Sequence, residues 1–571
     1  MKLIKCSVAL MTFLCPFYLN AQTTYLQEGS KDYHFIDRLE IKQKTNSDLN
    51  FSSLKPYSRK AIIKEIEFYN TENIQSLISG VSKTSNWSGL DLKKVDVYNL
   101  NSLLMNNSEW VTGSKKDFES DYSVLGKLYT TKPNLLEVNV KDFFLVVNPI
   151  LHLQAGKEKD NNDINFLNRR GVTARGMIAN RVGFSATITS NQERGPQFFG
   201  DRVTAMRALP GVGYYKPFKS TGYDYFDARG YITFNAAKYI DFQFGHDKNF
   251  IGNGYRSMFL DDKGDSYMFF KINTRIWKLN YQNIFMELMP QFKKVGDVLL
   301  DRKYAAMHHL SINVAKWLNI GLFEGVVFGR KNRLELQYLN PIIFYRHIEG
   351  AIGSPDNAVV GFDFKANFAH KVQLYSQLLF DEFQLSELIK SRGYWANKFG
   401  IQAGLKYIDA FGIDNLDVQL ETNLARPFTY SHNDSIANYT HYNQPLAHIL
   451  GGNFQEYIGI VKYQPMPKLS FNGRVIYYKQ GLDSLGNNFG ANPLENYNTR
   501  LREFGYKIGS GNRAKCLNTS LVASYEIKQN LFFEASALYR NFKTINIPTK
   551  NRTTQFTAGV RWNIGRREYD Y

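Results

Sequence analysis

Cysteine is almost absent. The 571 residues hold three, Cys6, Cys15 and Cys516, too few for a disulfide scaffold. Long hydrophobic runs are missing as well. Beyond the N-terminus no apolar stretch approaches the ~20 residues of a membrane-spanning helix, and the mean hydropathy is -0.36. The 42 glycines show no period of three, which excludes collagen. No HExxH, GxSxG or GxxxxGK[ST] pattern occurs, so the motifs of metalloproteases, serine hydrolases and P-loop enzymes are lacking. We expect no enzyme and no cofactor. Acidic residues are the minority, 52 against 70 Lys and Arg, for a net charge of +18. Aromatics are plentiful at 15%, with 36 Tyr, 42 Phe and 6 Trp, which argues against wholesale disorder.

Residues 1–21 have the form of a secretory signal. Lys2 and Lys5 precede a mostly apolar run from Ser7 to Leu19, and Ala21 offers a small residue for cleavage. A membrane anchor is disfavoured because the run is short and Pro16 interrupts it. A lipoprotein acylated at Cys15 is disfavoured because Leu14 stands where a small residue is wanted. Cleavage leaves Cys516 as the single thiol, so neither an internal disulfide nor a cysteine zinc site remains.

The rest divides by charge and by hydrophobic period. Segment 22–133 carries 15 basic and 14 acidic residues and 5 glycines; segment 134–571 carries 53, 38 and 37. In the first, Ser58 is a candidate helix N-cap, followed by Ala61, Ile62, Ile66 and Tyr69 on one face. A second helix is expected from about Leu92 to Trp110, with Val95, Leu103 and Leu104 inward. This segment reads as a small, mostly helical periplasmic subdomain.

In the second segment the period becomes two. Val182, Phe184, Ala186 and Ile188 alternate with Gly183, Ser185 and Thr187. Met268, Phe270, Ile272 and Ile276 oppose Lys271, Asn273 and Arg275. Val418, Leu420 and Leu424 oppose Gln419, Glu421 and Asn423, and Phe556, Ala558, Val560 and Trp562 oppose Thr557 and Arg561. Successive side chains on a strand point to opposite faces. A soluble sandwich also alternates. The polar faces rich in Gln, Asn, Arg and Glu, the aromatics near strand ends (Phe250 and Tyr255, Trp277 and Tyr281, Tyr477 and Tyr478) and the aromatic Tyr571 after the last strand favour an outer-membrane β-barrel of a Gram-negative bacterium. The 438 residues at ~20 per strand and connection give about 18 antiparallel strands. Ala179-Asn180 reads as a periplasmic turn, and 190–225, 384–397, 426–455 and 481–513 as external loops.

The runs RKNRLELQYLNPIIFYRHIEGAIGSPDN (330–357), YTHYNQPLAHILGGNFQEY (439–457) and GHDKNFIGNGYRSMFLDD (245–262), with KPYSRKAI (55–62) in the helical part, resemble Wzi-family capsule assembly proteins of Bacteroidetes and the related gliding motility protein RemB. The resemblance implies an 18-stranded barrel with a periplasmic helical bundle. It also implies a lectin that helps attach capsular polysaccharide to the cell, or a surface component of gliding motility.

Parity places Arg175, Lys271, Arg275, Arg333, Gln337 and Arg474 toward a lumen or its rim, where guanidinium forks suit the acidic groups of surface polysaccharide. Internal ion pairing, such as Arg333 with Glu335 across neighbouring strands, is the competing use. Tyr430, His441, Tyr442 and His448 are loop candidates for sugar contact, with a metal site or an ordinary hydrogen-bonded loop as alternatives. His308-His309 is discounted as a metal pair because the two side chains point to opposite faces. Asp261, Asp262 and Asp265 around Gly264 read as a turn rather than a calcium loop. The expected partners are acidic surface polysaccharide, lipopolysaccharide and outer-membrane lipid, and motility or capsule-export machinery. Nucleic acid is excluded by export and by the lack of a binding motif. A diffusion channel is the remaining alternative.

Overall fold

The computed structural model describes residues 23–43, 51–68, 92–121, 127–290, 299–330, 333, 335–342, 344–353 and 355–571. The signal expected over residues 1–21 lies outside them, as does Tyr69.

The alternating segments form a closed antiparallel barrel of 18 strands. These are β1 (Phe143–Glu158), β2 (Ile164–Ile178), β3 (Val182–Arg194), β4 (Gly222–Ala237), β5 (Ile240–Asp247), β6 (Tyr267–Ile276), β7 (Leu279–Leu288), β8 (Lys303–Ala315) and β9 (Leu318–Phe328). The second half comprises β10 (Asn357–Phe368), β11 (Val372–Glu382), β12 (Lys398–Tyr407), β13 (Leu416–Ala425), β14 (Phe454–Met466), β15 (Leu469–Leu482), β16 (Asn512–Lys528), β17 (Leu531–Thr544) and β18 (Thr549–Trp562). The seam joins β18 to the upper part of β1, from Trp562↔Leu151 to Gln555↔Glu158. The lower part of β1 pairs instead with a short strand, Leu136–Val140.

The alternating runs around Val182, Met268, Val418 and Phe556 are realised as strands. Phe556 and Leu322, on the outer face, are 64% and 57% exposed, whereas Lys271, Glu421 and Asn423 are buried inside. An apolar exterior on a closed sheet with no free edge is the construction that hydrocarbon demands. The protein is an outer-membrane barrel. Among the described residues no helix is long and apolar enough to cross a membrane.

One end carries short turns. At Ala179-Asn180 both residues have positive φ, 51° and 52°, the twist that suits a two-residue hairpin. Long loops crowd the other end, which is therefore external. Helices α1 (Asp32–Gln43), α2 (Arg59–Phe68) and α3 (Lys94–Asn106) sit at the short-turn, periplasmic end. Ser58 Oγ accepts the Ala61 N–H at 3.1 Å, so the expected cap is present. Leu39, Ile62, Ile66, Leu103 and Leu104 form the core of this helical part.

The helical part does not stand apart from the barrel. Arg38 of α1 bonds Asp409 at 2.8 Å and Asn415 at 3.2 Å in a periplasmic turn, and Asp417 at the start of β13. Glu40 pairs with Lys365 of β10 at 2.6 Å, and Asp37 with Lys406 of β12 at 2.7 Å. Helix α1 thus plugs the periplasmic mouth.

Two features depart from the sequence reading. Phe250 and Tyr255 belong to no girdle; the loop 248–266 that carries them drops into the lumen. Tyr571 follows the last strand, as expected, but is buried rather than facing the membrane. Residues 563–571 fold back inside the barrel, and Tyr571 packs edge-on against Phe198. The external loops contribute helices α4 (Gln197–Met206), α5 (Tyr345–Ala351) and α6 (Leu385–Ile389).

Candidate functional site

The lumen is filled from three directions. The N-terminal segment enters from below, loops 195–221, 248–266 and 426–453 descend from above, and residues 563–571 run between them. A cavity of about 680 Å³ remains, lined by Tyr25, Arg59, Arg175, Tyr231, Arg474 and Asp570 among others. Several of its basic groups are paired internally. Arg229 pairs with Glu28 at 2.6 Å and Asp227 at 2.9 Å, Arg567 with Glu193 at 3.0 Å, and Arg561 and Arg566 share Glu534 at 2.8 and 2.6 Å. The fully buried Arg256 holds Asp570 at 3.0 Å. Against the upward push of burial, Arg256 and Arg474 keep the Asp570 carboxyl well below its usual range.

Four of the six lumen candidates do face inward. The Arg175 side chain bonds Glu109 at 3.0 Å and the Asn106 carbonyl at 2.9 Å, both in the helical part. Lys271 donates to Asn249 at 3.1 Å and lies over the Tyr25 ring. Arg275 lies 4.8 Å from the centre of the Phe51 ring. Arg474 bridges Tyr255 at 2.6 Å and Glu568 at 2.8 Å. Their guanidinium and ammonium groups tie the plug, the wall and segment 563–571 together.

Arg333 and Gln337 are a correction. They lie in the external loop after β9, exposed, with Gln337 in a 3-10 turn. The pattern Arg333, Glu335, Gln337 mimics a strand for five residues, but β9 has already ended at Phe328. Glu335 pairs with Arg330 at 3.4 Å rather than with Arg333 across strands.

The loop candidates are also corrected, because loop 426–453 folds inward. Tyr430 is buried, donates to the Met258 carbonyl at 2.9 Å and stacks on Tyr439. His441 accepts the Met289 N–H at Nδ1 (3.0 Å) with Nε2 3.1 Å from the Ser266 carbonyl, and burial pushes its imidazole down to about 3. His448 Nε2 lies 2.7 Å from Glu456. Tyr442 is half-buried, its backbone N–H on the Met289 carbonyl at 3.2 Å. These residues cap the lumen and do not face outward. Asp261 accepts the Ser257 and Lys263 N–H groups at 3.0 and 3.1 Å, as a turn does. Burial, with Asp262 adjacent, pushes Asp261 up to about 7.

What does face outward is built by loops 383–397 and 483–511, both within the stretches expected to be external. Their backbones are laced together: Trp395 N–H to the Glu503 carbonyl (3.0 Å), Gly505 N–H to Arg392 (2.8 Å) and Tyr506 N–H to Gly393 (2.9 Å). Gly393 has φ +68°, and a Cβ there would meet the Tyr506 carbonyl at 2.7 Å. Only glycine allows this approach. The lacing sets Tyr394 against Phe504 at 5.4 Å and Trp395 against Tyr497 at 4.8 Å. Arg392 lies over Phe504 at 4.5 Å and Arg500 over Trp395 at 4.0 Å, while Arg502 is 5.3 Å from the Tyr506 ring. Phe504 is 39% exposed, and Arg392 and Arg502 are exposed. Glu387 holds Arg392 at 2.6 Å and Glu503 holds the Trp395 indole N–H at 2.7 Å. The result is an aromatic platform edged by guanidinium groups. The sequence signal for it was the composition of the two loops; the pairing of residues about 110 positions apart had none.

No protein-family model and no curated protein matches the chain. Solved structures do. Wzi of Escherichia coli, described as an outer-membrane protein involved in group 1 capsule assembly and a carbohydrate-binding β-barrel, is 15% identical. It aligns over 95% of this chain and 100% of its own, with a TM-score of 0.56. OprD of Pseudomonas aeruginosa (11% identity, 73% and 94% coverage, TM-score 0.40) and OccAB2 of Acinetobacter baumannii (8%, 73% and 97%, 0.40) are more distant. At these identities the likeness to Wzi establishes a shared fold, the β-barrel.

Proposed function

We propose that the protein is a non-enzymatic outer-membrane barrel that binds acidic surface polysaccharide and holds it at the cell, assisting capsule assembly. The observation that carries this reading is the external platform of Tyr394, Tyr497 and Phe504, backed by the buried Trp395 and edged by Arg392, Arg500 and Arg502. Aromatic faces stack on the C–H faces of sugar rings, and the guanidinium forks match carboxylate or phosphate substituents. The filled lumen supports a binder over a diffusion channel. The carbohydrate binding described for the E. coli barrel of the same fold points the same way. The basic excess also draws anionic polymers to the surface.

Deleting the gene is expected to release polysaccharide into the medium while synthesis continues; unchanged cell-associated polysaccharide would refute the reading. A role in gliding motility, implied by the resemblance to RemB, is scored in the same strain. Lost gliding with a normal capsule would assign the protein to motility instead.

A further inference from the structure

The loop between β9 and β10 does not rise into the water. Its 3-10 turn Leu336–Leu339 and helix α5 fold back over the outside of the barrel. Phe285, Ala306, Val326, Phe328 and Ala358 point outward by strand parity, yet all are buried, in one cluster with Tyr338, Tyr345 and Ile348. The loop also covers a polar row. Asn283, His308 and Glu324 are register neighbours across β7, β8 and β9 on the same outward face, and all three are buried. Tyr345 stacks on His308 at 3.9 Å, and the Arg346 N–H bonds Glu324 at 2.9 Å. Bare polar groups on the lipid face are costly, so this loop belongs on the wall. It presents apolar side chains of its own: Leu336, Ile342 and Phe344 are 73%, 85% and 56% exposed.

The neighbouring loop behaves alike. Phe383 packs on the outward rings of Phe380 and Phe399 at 5.2 and 6.4 Å, and α6 presents Leu385 and Ile389. Between the two loops lies a groove of about 390 Å³ on the outer wall. Its apolar lining includes Ala358, Val360, Phe380 and Phe383, and its polar lining Arg346, Asp381 and Gln384. The Arg346 side chain is 52% exposed and pairs with Glu349 at 3.0 Å. Glu382, also at the groove, is 3.3 Å from the Lys398 ammonium. The volume falls in the range of small-molecule sites, roughly 300–1,000 Å³.

We infer that this groove holds an acyl chain of a phosphorylated glycolipid of the outer leaflet, of the lipopolysaccharide class, with a phosphate on Arg346. The apolar lining lies on the lipid side of the barrel, which excludes a sugar or peptide. The groove sits at the external end, which selects the outer leaflet. The Arg346 guanidinium fork matches a phosphate. The inference does not rest on polysaccharide binding by the platform.

The test is native mass spectrometry of the detergent-solubilised full chain with three probes: bisphosphorylated lipid A, its dephosphorylated form, and phosphatidylethanolamine. The wild type is expected to retain bisphosphorylated lipid A above the other two. Arg346→Gln, at a half-exposed side chain, should weaken bisphosphorylated lipid A roughly fivefold and leave the dephosphorylated form unchanged. Val360→Trp should reduce both by filling the groove, with the heat-dependent gel shift of the barrel as its folding control. Wild-type retention of bisphosphorylated lipid A by Arg346→Gln would overturn the inference, whatever Val360→Trp does. Phosphatidylethanolamine binding as tightly as lipid A to the wild type would also overturn it.

Discussion

Replacing Gly393 with alanine tests whether the platform depends on the lacing of its two loops. The backbone there has φ +68°, which costs a side-chain-bearing residue about 1–2 kcal/mol. The added Cβ would also stand 2.7 Å from the Tyr506 carbonyl and 2.9 Å from its nitrogen, so the strands of the lace must part. That endangers the Gly505–Arg392 and Tyr506–Gly393 backbone bonds, each worth about 0.5–1.5 kcal/mol. A total of about 2–5 kcal/mol is enough to open two surface loops, and the fraction of molecules with Phe504 seated beside Tyr394 falls accordingly. Affinity electrophoresis against an acidic polysaccharide should show binding at least tenfold weaker, with the heat-dependent gel shift unchanged. Asparagine tolerates positive φ but carries the same Cβ, so Gly393→Asn should fail as badly as alanine. Full binding by Gly393→Ala would refute the close-approach argument. Rescue by asparagine alone would show that φ, and not contact, matters.

Other consequences concern the plug and the lumen. Glu40→Gln leaves the buried Lys365 ammonium without its carboxylate, at a cost of about 3–5 kcal/mol. Limited proteolysis should then cut within residues 23–68 while the strands stay protected. Burial raises the Asp37 carboxyl, but Lys406 and Lys55 outweigh it and hold the group at about 2. Asp409 is likewise depressed, with Arg38 outweighing burial. Carboxyls with lowered folded-state values stabilise above their ordinary ~3.8 and lose that contribution as pH falls through the lowered value. The α1 plug should therefore loosen progressively from about pH 4 to pH 2, followed by hydrogen exchange of α1; exchange unchanged across that window would contradict the assignment. The filled lumen predicts no stable conductance in planar bilayers, and steady ion-conducting steps would contradict it. Cys516 is fully buried, so a maleimide should label it only after heat denaturation.

The barrel was legible in the sequence because strand parity is a local signal. Hydrocarbon outside and polar groups inside imprint a period of two on each strand, and Lys271, Glu421 and Arg561 all lie where that period puts them. The Ser58 cap was legible for the same reason, needing only three residues. Loop destinations were not. Tyr430 and His441 have the composition of exposed binding residues, and their burial depends on Met258 and Ser266, more than 170 positions away. Arg333 and Gln337 show the converse failure: a strand-like pattern over five residues has no partner strand, and the chain turns back over the wall. The platform was half legible. The loops stood out as external stretches between strands, but nothing local indicates that Gly393 meets Tyr506.

The most direct test of the central claim is the fraction of polysaccharide released by cells whose only copy of the gene carries Arg392→Ala and Phe504→Ala. Both side chains lie at the outer surface, so the barrel should assemble with its normal gel shift. Loss of a guanidinium–carboxylate contact and an aromatic stacking face, about 1–2 kcal/mol per occupied site, should multiply over the sites of one polymer. The account predicts polysaccharide moved from the cell to the medium with total synthesis unchanged. Retention equal to the wild type, with the variant present at normal level in the outer membrane, would contradict it.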